Sequence, residues 1–115
     1  MALNSDCLFC KIIEGEIPAD IVYRNENVVA FRDITPQAPT HVILVPTIHT
    51  ENAAALARMS SVITAALFVA AGEIATSEGL DGYRTVFNTG ASAGQSVFHA
   101  HLHLLGGRFF AWPPG

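Results

Sequence analysis

From His99 to Leu104 polar and apolar positions alternate without a break, with imidazoles at 99, 101 and 103 and Ala100, Leu102 and Leu104 between them. Period two predicts a half-buried strand. On it the three imidazoles share one face, roughly 6.6 Å apart at about 3.3 Å rise per residue, and Gly106-Gly107 ends it. Upstream, Cys7 to Glu14 predicts a short helix with Leu8, Phe9 and Ile12 as its apolar stripe and Gly15 as its breaker. Ile21-Val22-Tyr23 and Val28-Val29-Ala30-Phe31 predict two strands joined at Asn25-Glu26-Asn27. Residues 33–40 form a loop, because Pro36 and Pro39 cannot donate to a ladder. His41 to Val45 is a β-branched strand stopped by Pro46.

Thr50 is the expected cap of a short helix through Met59, and Ser60 or Ser61 that of a longer one from Val62 to about Ser77, with Gly79 past its end. The longer helix is apolar on most faces, so most faces should be buried, on the sheet and on a second subunit. Tyr83 to Asn88 predicts a strand that ends at Asn88, and Thr89 to Gly94 a loop of small residues. One helix, three strands, helices, then two strands make the fold class α+β, with an antiparallel sheet of five strands and two or three helices.

The 115 residues fit one domain. Half are hydrophobic and 14% are charged, against a usual charged share of about 25%. Self-association is the expected way to cover the surplus apolar surface. A net charge of −4 without a basic run argues against binding nucleic acid through its phosphates. No signal peptide is visible in 1–6. The longest apolar run, Ala65 to Ala71, falls far short of the roughly 20 residues of a membrane span. Two cysteines in Cys7-Leu8-Phe9-Cys10 do not make a secreted disulfide framework. A cytoplasmic protein with no membrane partner is the expectation.

One imidazole can serve as nucleophile, acid, base or metal ligand, and a row of three allows these tasks to be divided. The plain alternative is an exposed polar face, but that places three of only five histidines in register by chance.

His99-Ala100-His101-Leu102-His103-Leu104-Leu105 resembles the histidine triad, His-φ-His-φ-His-φ-φ with φ apolar. Phe31 to His41 resembles the central segment of the same superfamily, and Gly94-Gln95-Ser96-Val97 and Trp112-Pro113-Pro114-Gly115 its Hint branch, the nucleoside phosphoramidases. The resemblance runs from about Cys7 to Gly115. It implies a homodimer whose two five-stranded sheets, each with two helices, join into one of ten strands, with a purine nucleotide site in each subunit. It implies hydrolysis of the P–N bond of purine nucleoside 5′-phosphoramidates, and of related acyl adenylates, through a covalent nucleotidyl-histidine. It makes His101 the nucleophile, flanked by His99 and His103, with His41 orienting or relaying protons. Ser96, Asn88 and Gln95 become phosphate and sugar contacts. Asp33 takes the ribose hydroxyls, and Leu8, Phe9, Ile12, Phe31 and Ile34 wall the base. Outside the resemblance, Asp33 reads equally as a turn residue, Ser96 as a loop cap and the apolar five as core.

Cys7-x-x-Cys10 departs from the animal-type phosphoramidases. In bacterial members such a pair forms a zinc site with two histidines, and the matching positions are His49 and His99. Two thiolates and two imidazoles suit tetrahedral structural zinc. The alternative is two small buried hydrophobes. A dinucleoside polyphosphate hydrolase and a low-turnover nucleotide-binding scaffold are the rival functions. The Trp-Pro-Pro-Gly end argues against the first rival, and the intact row with Ser96 against the second.

Overall fold

The computed structural model describes residues 6–115. Its centre is a five-stranded antiparallel sheet in the order β1-β2-β3-β5-β4. The strands are β1 (Ile21–Arg24), β2 (Val28–Arg32), β3 (Thr40–Pro46), β4 (Tyr83–Val86) and β5 (Leu102–Gly106). Asn25 makes the β1–β2 turn, where its side-chain oxygen accepts the N–H groups of Asn27 and Val28, both at 2.9 Å. Helix α1 (Leu8–Ile13) precedes the sheet, while α2 (Ala53–Met59) and α3 (Ser61–Ser77) carry the chain from β3 to the far edge at β4. β5 then returns between β4 and β3. The fold is therefore α+β as expected, with the short α2 as a third helix.

Period-two alternation gives the sheet two apolar faces. Val28, Ala30, Val42, Leu44, Leu102 and Leu104 point to α3, which answers with Leu67, Ala70, Ala71 and Ile74. These α3 positions recur at helical spacing and form one stripe. Val29, Phe31, Ile43 and Val45 point to the other face, where α1 lays down Phe9 and Ile12. Val62, Phe68 and Val69 on α3 stay exposed, so the burial expected all round this helix is met on its sheet side alone within one chain.

Several boundaries differ from those expected. Asn52, not Thr50, caps α2, its side-chain oxygen accepting the N–H of Ala55 at 2.9 Å. Ser60 caps α3 in the same way. β4 stops at Val86, two residues short of Asn88. The largest correction concerns the alternating stretch. β5 begins at Leu102, so His99 and His101 lie ahead of the ladder, and only His103 is a strand residue. Residues 95–100 bond instead to residues 46–51. Ala100 N–H donates to the Thr50 carbonyl at 2.8 Å. His99 Nε2–H donates to the Pro46 carbonyl at 3.0 Å, and Gln95 Nε2 to the Glu51 carbonyl at 2.7 Å. The segment 95–100 thus bonds to the end of β3 and the irregular turn that follows it, where a strand pair would have done so.

Candidate active site and metal centre

The α1 face of the sheet carries the first group of histidines. Ile43 on β3 lies opposite His103 on β5, and His41, two residues before Ile43, is the diagonal neighbour of His103 on the same face. His41 Nε2 lies 2.8 Å from His103 Nδ1. The backbone N–H of Gln37 donates to His41 Nδ1 at 3.0 Å, which fixes that nitrogen as an acceptor. The proton of neutral His41 therefore sits on Nε2 and is donated to His103 Nδ1, so His103 carries its own proton on Nε2. Asp33 Oδ2, 3.4 Å from His41 Nε2, lies beside this chain. Asp33, His41 and His103 are close enough to be taken for a metal site. The Gln37 N–H argues otherwise, because it keeps the proton on the very His41 nitrogen a metal would need.

His101 is buried and differently held. Its Nδ1–H donates to the carbonyl of His99 at 2.8 Å. Nε2 is left as a bare lone pair with no partner among the described residues. The rings of Phe9 and His103 stand edge-on to it, with centroids at 4.9 and 5.1 Å. Burial lowers the pKa of His101 below the ordinary histidine value, although the His99 carbonyl and Asp33 pull the other way. Burial, reinforced by the neighbouring His101 and His41, takes His103 to about 4. His41 is lowered by burial despite Asp33. All three rings are neutral at pH 7. The arrangement offers one unprotonated nitrogen, His101 Nε2, beside the half-buried His103 ring, whose Nε2–H can donate.

His99 belongs to a second group. Its Nε2–H is engaged by Pro46, so Nδ1 is a lone pair, and it faces Cys7 Sγ at 3.4 Å, Cys10 Sγ at 3.5 Å and His49 Nδ1 at 3.2 Å. Cys10 Sγ lies 3.4 Å from His49 Nδ1. All four atoms fall within 4.8 Å of one another. Cys7 is the N-cap of α1 and Cys10 sits one turn in, so the helix start presents both sulfurs to one point. Neither cysteine forms a disulfide among the described residues. Four soft-to-borderline donors converging from three separate segments, one with its tautomer already set for ligation, are the donor set of tetrahedral zinc. The residues fit that metal.

The HIT domain family model matches residues 14–110. The chain belongs to the HIT family. The purine nucleoside phosphoramidase of Escherichia coli K12 is 47% identical, with 92% of this chain and 91% of that protein covered. The 14 kDa zinc-binding protein of Zea mays is 50% identical, covering 97% of this chain and 90% of its own. A HIT family hydrolase from Legionella pneumophila Philadelphia 1 superposes with a TM-score of 0.91 at 50% identity, over 95% of this chain and 99% of its own. Cys7 and Cys10 lie ahead of the segment that the HIT model matches, so the metal cluster joins family positions to a helix outside them.

Within this HIT fold the remaining sequence-predicted residues fall in distinct places. Phe9, Ile12 and Phe31 are buried against one another on the α1 face. Leu8 is partly exposed, and Ile34 is 98% exposed, on the surface loop after β2. Asp33 accepts the N–H of Thr35 at 2.7 Å with one oxygen and keeps the other near His41. Ser96 is exposed and lines an open cavity of about 400 Å³ with Cys7, Leu8, His49, Val97 and Phe98. Asn88 is half-buried beside Gly94. Gly90 and Gly94 have φ of +89° and +95°, a backbone that favours glycine in the loop before the triad.

Gln95 is buried, and its amide is fully engaged. Its oxygen accepts Gly90 N–H at 2.9 Å, and its nitrogen donates to Glu51 and Val97 carbonyls at 2.7 and 3.1 Å. Both amide hydrogens are spent inside the protein, so its geometry is that of a loop brace. Sequence reasoning missed Gln37, Pro46 and Thr50. They act through backbone N–H and C=O groups, and such roles leave no mark on side-chain type.

Proposed function

We propose that this HIT protein hydrolyses purine nucleoside 5′-phosphoramidates and related acyl adenylates, as its E. coli relative is named for doing with the former. The observation that carries the reading is the His101 tautomer. Its Nδ1–H is held by the His99 carbonyl, so Nε2 is a free nucleophile at neutral pH. His101 Nε2 attacks phosphorus, and the P–N bond to the amine breaks. The nitrogen leaves as the amine with a proton drawn from water, while His103 Nε2–H donates a hydrogen bond to a phosphate oxygen as charge develops there. The phosphorylated His101 ring becomes cationic, and its Nδ1–H bond to the His99 carbonyl stabilises that charge. Water then attacks phosphorus and gives up a proton to solvent, the bond to Nε2 breaks, His101 regains its lone pair, and a nucleoside monophosphate leaves. Phe9, Ile12, Phe31 and the flanking Leu8 and Ile34 would contact the base, Asp33 the ribose, and Ser96 and Asn88 the phosphate.

Cys7, Cys10, His49 and His99 would hold a zinc ion, consistent with the name of the maize relative. Bound there, zinc supplies structural cross-linking. The working unit is a cytoplasmic homodimer built across β4, one of the two edges of the sheet, together with the exposed Val62, Phe68 and Val69 of α3, where Phe68 meets Phe87 just past β4. A trapping experiment tests the chemistry. Acid quench during turnover of labelled adenosine phosphoramidate should yield an acid-labile adduct on His101. Its appearance on His99 or His103, or full turnover by His101→Ala, would refute the assignment.

A further inference from the structure

We propose that the four-donor centre positions the nucleophile: with its metal bound, the Cys7, Cys10, His49 and His99 set fixes the ring orientation and tautomer of His101. The inference rests on the reading of His101 as nucleophile.

Two independent links join the centre to His101. The first runs through residue 99. Its ring faces the other three donors, and its carbonyl is the acceptor of His101 Nδ1–H. Residues 99–101 precede β5, so no strand ladder orients that carbonyl. The flanking bonds from Ala100 and Gln95 run to Thr50 and Glu51, and the His99 ring bonds Pro46. These acceptors bracket His49, itself one of the four donors. Holding His49 and His99 on one ion therefore clamps the whole segment that aims the carbonyl.

The second link runs through α1. Phe9 sits between the two cysteines, and its ring stands edge-on to both His99 and His101, with centroids at 6.1 and 4.9 Å. Anchoring Cys7 and Cys10 seats Phe9 against the His101 ring.

The nitrogen that carries the proton in a neutral imidazole is decided by the bond the other makes. Losing the aimed carbonyl releases the proton of His101 to exchange between Nδ1 and Nε2. Every molecule with the proton on Nε2 lacks the attacking lone pair. A centre with no place in the reaction thus governs how much of the protein can react.

Long-range ¹H–¹⁵N correlation spectra of histidine-labelled protein read each ring's tautomer directly. Zinc-loaded protein should show His101 protonated at Nδ1 and bare at Nε2. Folded protein stripped by chelation should show averaged His101 shifts, and kcat on adenosine phosphoramidate should fall by about tenfold to a hundredfold. Its affinity for adenosine monophosphate should hold, and added zinc should restore both readouts. If stripping unfolds the chain, two variants replace it, since His99→Ser and His99→Cys both keep three donors and the backbone carbonyl. Only cysteine restores the fourth ligand, so zinc-loaded His99→Cys should keep the wild-type His101 shifts and His99→Ser should lose them. Identical His101 shifts in loaded and stripped folded protein, or wild-type shifts in His99→Ser, would overturn the proposal. The expected shifts without phosphoramidate turnover in any form would instead refute the proposed function and leave the positioning intact.

Discussion

His41 Nε2–H donates to His103 Nδ1 at 2.8 Å, and the Gln37 N–H behind it decides the direction of the bond. His41 therefore acts through His103, keeping that ring's outer nitrogen protonated. His41→Ala should lower kcat by about tenfold to a hundredfold with little change in nucleotide affinity, on the scale typical of groups that orient a reacting residue. His103 nitrogen shifts should become those of a mixed tautomer. Steady-state kinetics with ¹⁵N spectra of the variant check both. Unchanged His103 shifts would remove this role from His41.

The pH profile follows from burial. An exposed histidine loses its lone pair below about 6.5. His101 is lowered from that value, and His103 titrates at about 4. The rate should stay flat from pH 8 past 6.5 and decline only under more acid conditions. Stability follows the same groups. Between about 4 and about 6.5 the unfolded chain binds a proton at residue 103 that the folded chain refuses, so stability rises with pH across this window and is lost as pH falls through it. Initial rates and thermal melts from pH 4 to 8 test the two statements. An acid limb centred at 6.5 would contradict the first.

Purified wild type, prepared without a histidine tag, should contain about one zinc per chain, as four converging donors imply. Cys7→Ser combined with Cys10→Ser should contain almost none. The double variant should also melt at lower temperature, because metal bound only by the folded state adds to its stability. Elemental analysis and calorimetry give the answer, and an empty wild type after zinc supplementation would return both cysteines to a packing role.

Gln95→Ala removes three internal bonds that join Gly90, Glu51 and Val97. Leaving those part-buried groups without their partner should destabilise the protein by on the order of 1 kcal/mol. Gln95→Glu keeps one acceptor but loses the two donors, and should recover only part of the loss. Urea denaturation of the three proteins ranks them. Full stability in Gln95→Ala would show that water or substrate, not the loop, is its natural partner.

A charge on α3 separates the two burdens of that helix. Leu67 is fully buried under the sheet, so Leu67→Glu should unfold the chain. Val69 is 59% exposed on the other side, so Val69→Glu should leave circular dichroism intact and give a monomer by light scattering at micromolar concentration. A wild-type monomer at that concentration would end the dimer reading.

The sequence determined the element types and their order, since period-two runs such as Val42-Ile43-Leu44 and the helical stripe of Leu67, Ala70, Ala71 and Ile74 are local patterns that only one packing buries. It also brought the histidines, Asp33 and the cysteine pair to notice, because those side chains are chemically rare and their spacing is short. The alternation at 99–104 misled in one respect. Period two says that a strand is possible, but a ladder needs a partner, and residues 95–100 bond instead to the end of β3 and the turn after it, residues 46–51, contributed from about fifty residues away. Only the tertiary structure could divide the row, sending His99 to the cysteines and leaving His101 and His103 together. Only it could assign the tautomers, because each is set by a backbone carbonyl or N–H from Pro46, Gln37 or His99 itself, and every residue type carries those groups alike.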